Sequence, residues 1–266
     1  MPPRPATTDD YPDFARLFPE LATGDPVPAP QIWENEIAPN TVVLEAGDSI
    51  AGYVYVQILD GLGYIRHVIV DPAHRGRGFG RVLMQQAAQR IREAGIERWC
   101  LNVKPDNIPA VQLYTRVGMT RKHASVSMRM GWAIIERLPP PDEALVTTPL
   151  PTDDDAEIER ALALPPGLLT QQHGRDDVHL LLCRQGTAPM GMAAFAPQFP
   201  GAYPFRANSA AVARALLTAM QPLANPAHDY VQLVFENQPQ VATAFDAAGA
   251  TRFLEFVHFA GDVPAQ

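Results

Sequence analysis

Apolar residues along this 266-residue chain fall in two arrangements. Short unbroken runs read as buried strands, and residues three or four apart read as one face of a helix. Gly63 to Val70 and Trp99 to Val103 are strand runs, and between them a helix starts near Gly78 and continues through Arg81 to Ala94. A second helix spans Asn107 to Gly118, with Ile108, Val111, Tyr114 and Val117 on one stripe. Val43 to Gly47 and on through Gly52 predicts two strands joined by a short turn. Leu138-Pro-Pro-Pro-Asp142 and Thr147-Thr-Pro-Leu-Pro151 cannot continue a helix or a central strand, so the chain is extended there.

The pattern then repeats. Thr152 to Arg160 matches Thr8 to Arg16, each a helix opened by a Thr/Asp cap. Leu182 to Gly186 and on through Gly191 matches Val43 to Gly52, and Phe245-Asp-Ala-Ala-Gly249 matches Tyr114-Thr-Arg-Val-Gly118. Three matched segments in the same order point to duplication. The expected organisation is a domain over residues 1–131, a proline-rich linker over 132–149 and a second domain over 150–266.

Residues 70–84, VDPAHRGRGFGRVLM, carry the chemistry: strand, glycine-rich turn and helix end to end. Gly76, Gly78 and Gly80 allow positive φ, so consecutive N–H groups can turn toward one point, joined by the donors of a helix N-terminus. Six arginines stand against one acid between Arg66 and Arg92, in a chain of net charge −8, so the positive field is local and suits a phosphorylated guest. A Walker A loop would end in Gly-Lys-Ser/Thr, where this chain has Phe79-Gly80-Arg81, and the G-x-G-x-x-G spacing of a dinucleotide fingerprint is absent. The spacing present is R-x-x-G-x-G at Arg75, Gly78 and Gly80, and an N-x-x-A-x-x-x-Y-x-x-x-G helix follows at Asn107, Ala110, Tyr114 and Gly118.

Together these two motifs resemble those of the GNAT superfamily of N-acetyltransferases, over residues 3–130 with specific motifs and over 148–260 as a degenerate copy. The resemblance implies an α/β (α+β) fold: two tandem GNAT-like acyl-CoA N-acyltransferase domains, each a mixed, mostly antiparallel sheet flanked by helices. The sheet would splay between the fourth and fifth strands, Gly63 to Val70 and Trp99 to Val103. It implies acetyl-CoA as co-substrate, with the pantetheine on the backbone of Val68, Ile69 and Val70. The pyrophosphate would lie on Arg75, Gly76, Arg77, Gly78, Phe79, Gly80 and Arg81, and the pantetheine arm on Asn107. Tyr114 would donate to the leaving sulfur. The implied reaction is direct attack by a primary amine, of a small molecule or a protein N-terminus, in a ternary complex. An acyl-CoA sensor without turnover and acyl transfer to a non-amine acceptor are the alternatives.

The base is the weak point of the pattern. Where some members of the family carry a glutamate on the fifth strand this chain has Asn102, which leaves His67, working through a water, as the candidate. Deprotonating a lysine-like amine at pH 7 costs about 4.6 kcal/mol, against about 1 kcal/mol for an α-amine, so a feeble base favours the α-amine. A tyrosine near 10 protonating a thiolate near 8.5 is uphill by about 2 kcal/mol, so Tyr114 is expected to act largely as a hydrogen-bond donor.

The second half lacks this chemistry. Its corresponding segment, Phe199 to Ser209, has one glycine, Phe245 replaces Tyr114, and residues 150–266 carry net charge −6 against −2 for 1–149. It is expected not to use acyl-CoA productively. Cys100 and Cys183 sit in strand-like runs without CxxC or histidine company, so neither metal site nor disulfide is expected. The acidic balance argues against nucleic-acid binding. With no apolar leader before Thr7 and no membrane-length apolar run, the expected location is cytoplasmic, as monomer or homodimer. Trp33, Tyr53, Tyr55 and Trp132 are assigned no role beyond packing.

Overall fold

The computed structural model describes residues 3–47 and 49–265. The chain divides into two compact units, Met1–Lys122 with His258–Gln266, and His123–Val257.

In the first unit the elements run β1 (Pro3–Pro5), α1 (Tyr11–Leu17), β2 (Thr41–Ala46), β3 (Ser49–Leu59), β4 (Leu62–Val70), α2 (Phe79–Glu93), β5 (Arg98–Val103), α3 (Ile108–Arg116) and the start of β6 (Thr120–Gly131). Strands β1 to β4 form an antiparallel meander, and β4 pairs parallel with β5. The end of β12 (Thr251–Asp262) returns to this unit, and Val263 N–H just beyond it donates to Glu97 O at 2.7 Å. Period-two alternation puts the two faces of β3 and β4 to different uses. Phe14, Leu17, Phe18, Trp33, Ile37, Tyr53, Tyr55 and Ile69 close one face as a single aromatic-rich cluster. Leu83, Met84, Ala87 and Ile91, which share one face of α2, are fully buried. Thr7 and Asp10 form a capping box ahead of α1, so the capping threonine is Thr7, one residue before the segment Thr8 to Arg16 that signalled the helix start.

In the second unit follow β7 (Leu145–Pro149), α4 (Asp155–Ala161), α5 (Leu168–His173), β8 (His179–Gln185), β9 (Ala188–Ala196), β10 (Gly201–Ala207), α6 (Ala210–Met220), β11 (Tyr230–Glu236), α7 (Pro239–Ala248) and most of β12. Strands β7 to β10 are an antiparallel meander, β10 pairs parallel with β11, and β11 antiparallel with β6. This is the connectivity of the first unit again. The β8–β9 turn takes Gly186 at φ +60°, as the β2–β3 turn takes Gly47 at φ +69°.

The units do not part where the proline-rich stretch suggested. Residues 132–149 are drawn into the second unit, where Ile134, Ile135 and Leu138 are buried in its core. Leu145–Pro149 is extended, as expected of proline, but pairs with β8 as an edge strand, where a missing N–H does no harm. Proline fixed the local conformation; the apolar residues around it decided burial. The last residues go the other way, since His258 onward belongs with the first unit rather than with 150–257.

Candidate active site

Parallel pairing of β4 and β5 runs Gly63↔Trp99, Tyr64↔Cys100, Ile65↔Leu101 and then stops. At that point the β3–β4 register slips, from Val56↔Ile65 to Tyr55↔His67, leaving Arg66 unopposed in a β-bulge. Residues 66–70 therefore line a gap, as the resemblance implied for these two strands. Asp71 N–H donates to Ala51 O at 2.8 Å, on the β3 side. Alternation along an antiparallel strand then turns the amides of Val70 and Val68 away from β3, toward the gap, while Ile69 faces β3 and sends its side chain into the core.

The glycine-rich loop stands at the head of this gap. Gly76 and Gly78 have φ of +74° and +84°, left-handed values that any side chain would strain, and a Cβ at either would meet only open space. Gly78 caps α2 and accepts from Arg81 N–H at 3.0 Å. Among the described residues the amides of Gly76 to Gly80 donate to no protein acceptor, so five donors are presented at a helix N-terminus. Gly80 lies against α3, since a Cβ there would be 3.1 Å from Leu113 Cδ2.

Arg75 points elsewhere than a simple anion contact. Its Nε donates to Val70 O at 3.1 Å and its Nη2 to Glu20 Oε2 at 2.6 Å, which fastens the loop to the end of β4. The start of the loop is held as well by Asp71, which accepts from Ala73 N–H at 2.9 Å and from Arg16. The Arg16 guanidinium keeps that carboxyl below its usual range. Arg77 and Arg81 are exposed.

On α3, Asn107 is the N-cap, and its Oδ1 accepts from Ala110 N–H at 3.3 Å. That bond explains the N-x-x-A spacing by itself and leaves Nδ2 as a donor. Tyr114 is 7 % exposed and packs on Phe259 at 6.4 Å between centroids, and burial pushes its hydroxyl pKa up. Of the expected apolar stripe, Ile108 is 55 % exposed at the first turn of the helix, and Tyr114 alone is buried.

His67 sits among Phe18, Tyr53 and Tyr55 at 5.6, 6.1 and 5.3 Å between centroids, with its Nδ1 enclosed and unpartnered. Burial first, and the Arg66 charge second, push its pKa down to about 3. The ring is neutral at pH 7 and a poor proton acceptor. Next to it, Arg66 lies over the Tyr64 ring at 3.9 Å, with its Nε donating to Gln57 Oε1 at 2.6 Å.

At Asn102, the first residue of β5 beyond the ladder, the carboxamide bridges two groups. Nδ2 donates to the Tyr64 hydroxyl at 2.7 Å, and Oδ1 lies 3.0 Å from His258 Nδ1. Nothing in the sequence pointed to His258, which stands 156 residues away.

A Mycothiol acetyltransferase from Catenulispora acidiphila is 34 % identical over 91 residues, 32 % of this chain and 29 % of that relative, so the chain spans under a third of the relative's length. A GCN5-related N-acetyltransferase from Sphaerobacter thermophilus superposes with a TM-score of 0.67 at 17 % identity, over 99 % of this chain and 96 % of that one. A tandem GNAT protein from the clavulanic acid biosynthesis pathway does so with 0.64 at 16 %, over 100 % and 99 %. These two likenesses show the fold, a tandem of GNAT-like halves. Residues 8–119, which hold both the gap and the loop, match the Acetyltransferase (GNAT) family.

Proposed function

We propose that this chain transfers the acetyl group of acetyl-CoA to a primary amine, of a small molecule or a protein amino terminus, at the first unit's gap. The observation that carries this reading is the end of the β4–β5 ladder at Ile65↔Leu101, directly before the strand leads into the loop with Gly76 and Gly78. The residues fit an extended thioester with a diphosphate. Val68 and Val70 offer main-chain donors along the gap, with Ile69 fixing the strand from the core side. The amides of Gly76, Arg77, Gly78, Phe79 and Gly80 suit the diphosphate, and the Arg77 and Arg81 side chains add charge. Arg75 acts by pinning the loop. Asn107 caps α3 with Oδ1 and offers Nδ2 to the pantetheine arm.

In the reaction the neutral amine attacks the thioester carbon, the C–N bond forms, the C–S bond breaks and the amine's proton leaves to water. Tyr114 stabilises the departing sulfur by a hydrogen bond, because a hydroxyl whose pKa is raised further above that of a thiol is a poorer acid and still a donor. His67, enclosed among Phe18, Tyr53 and Tyr55, stays neutral and does not serve as the base. With no strong base at either β4 or Asn102, the acceptor arrives deprotonated, which favours an α-amine over a lysine-like amine. The acetyl transfer in the mycothiol relative's name supports the reaction class. The test is release of CoA thiol across a panel of amines at pH 7. Release should require an amine and be faster with α-amines; amine-independent release, or equal rates for both amine classes, contradicts the reading.

A further inference from the structure

The second unit repeats the backbone of the gap closely enough to be read residue against residue. Gly191 pairs with Ala207 as Gly52 pairs with Val70, and Ala193 with Phe205 as Val54 with Val68. Asn208 N–H donates to Met190 O at 3.0 Å, as Asp71 N–H does to Ala51 O at 2.8 Å. Ala207 and Phe205 thus correspond to Val70 and Val68. The offset of 131 residues that sets Phe245 opposite Tyr114 and Gly249 opposite Gly118 sets Gln238 opposite Asn107.

Gln238 does something Asn107 does not. Its Oε1 accepts from Ala207 N–H and its Nε2 donates to Phe205 O, each at 2.8 Å. An amide donor and acceptor thus lie against the strand edge where, in the first unit, the amides of Val68 and Val70 stand open. Two further features close the same place. Pairing between β10 and β11 resumes beyond the bulge at Phe205↔Phe235, whereas β4 and β5 stay apart beyond theirs. Arg206 on β10 donates to Glu236 on β11 at 2.6 Å, with both residues under a tenth exposed. What remains beside them is a cavity of about 450 Å³ with Arg206, Glu236 and Gln238 in its wall.

We propose that Gln238 is a built-in occupant of the second unit's slot, its carboxamide standing where the amide of a pantetheine arm would lie, so that the chain takes up acyl-CoA in the first unit alone. The proposal rests on the reading that Val68 and Val70 line the first unit's cofactor gap. A glutamine is one methylene longer than an asparagine at the same helix start. That extra length lets it reach the strand instead of capping its own helix.

The test uses the full chain labelled with 15N-alanine and 15N-valine, titrated with pantetheine, whose lack of phosphates makes the loop difference between the units irrelevant. In the wild type the Val70 amide should shift and the Ala207 amide should not. In Gln238→Ala, and in Gln238→Asn should the alanine variant fold poorly, Ala207 should shift as well. In either variant its amide should exchange with solvent about fivefold faster, as loss of one hydrogen bond predicts. An Ala207 shift in the wild type at the concentrations that move Val70 overturns the proposal, as does an unmoved Ala207 in the folded variants. A Val70 that never responds, beside an Ala207 that responds only in the variants, supports the occupant and refutes the function proposed for the first unit.

Discussion

Lowering the pH from 7 to 5 should destabilise this protein by about 2 kcal/mol through one side chain, His67. In the unfolded chain its imidazole titrates near 6.5, whereas in the fold burial and the Arg66 charge hold it down at about 3. Between those values the unfolded state binds a proton that the native state does not, so stability falls as pH falls. At pH 5, about 1.5 pH units below the unfolded value, the loss is about 2 kcal/mol at about 1.4 kcal/mol per unit. Asp10, Asp71, Asp177 and Asp246 have lowered pKa values, and the stability they confer is lost only as pH falls through and below about 4. Urea midpoints of the wild type and His67→Gln at both pH values, followed by tryptophan fluorescence, isolate the effect, because all other groups are common to both proteins. Trp33 and Trp99 report on the first unit. The wild type should lose about 2 kcal/mol more than the variant; equal losses would refute the account of this pocket and return His67 to consideration as a base.

Other expectations follow from the site. Gly78→Val places a β-branched side chain at φ +84° and should weaken acetyl-CoA binding more than tenfold by calorimetry, with the melting temperature lowered by several degrees because backbone strain of about 1–3 kcal/mol persists at this exposed position. Tyr114→Phe should lower kcat by about 10²-fold or more with KM for acetyl-CoA nearly unchanged, and a loss confined to KM would contradict the donor role. Asn107→Ser should keep the helix cap, and so the thermal stability, while losing affinity for acetyl-CoA, whereas Asn107→Ala should lose about 1 kcal/mol of stability as well. For an α-amine, kcat/KM between pH 6 and 8 should rise with the free-amine fraction in both wild type and His67→Gln. A bend present only in the wild type would point to an enzyme base.

Much of this was legible in the sequence where the signal is local. The glycines at 76 and 78 announce a backbone that only glycine adopts readily, and the Asn107-to-Ala110 spacing is a helix cap as well as a family motif. The three matched segments gave the duplication, because turns such as Gly47 and Gly186 leave a mark on composition. What escaped depends on partners distant in the chain. Periodicity says that Asn102 lies on a strand, but not that its carboxamide meets Tyr64 and His258; that requires the return of β12 to the first unit. Arg75 looks like an anion ligand until Glu20, 55 residues earlier, is seen to hold it. His67 has the reference pKa of a base in the sequence and loses it to four neighbours, Phe18, Tyr53, Tyr55 and Arg66. The linker failed for a related reason: proline content reports backbone shape, and Ile134, Ile135 and Leu138 settled where that stretch packs.

One gap and one loop in the first unit should receive acetyl-CoA. Amide hydrogen exchange of the whole chain, read by mass spectrometry with and without acetyl-CoA, tests this most directly. Protection should appear in peptides covering residues 66–81 and 101–114 and be absent from 201–207. Unchanged exchange at 66–81, or protection confined to 201–207, would contradict it.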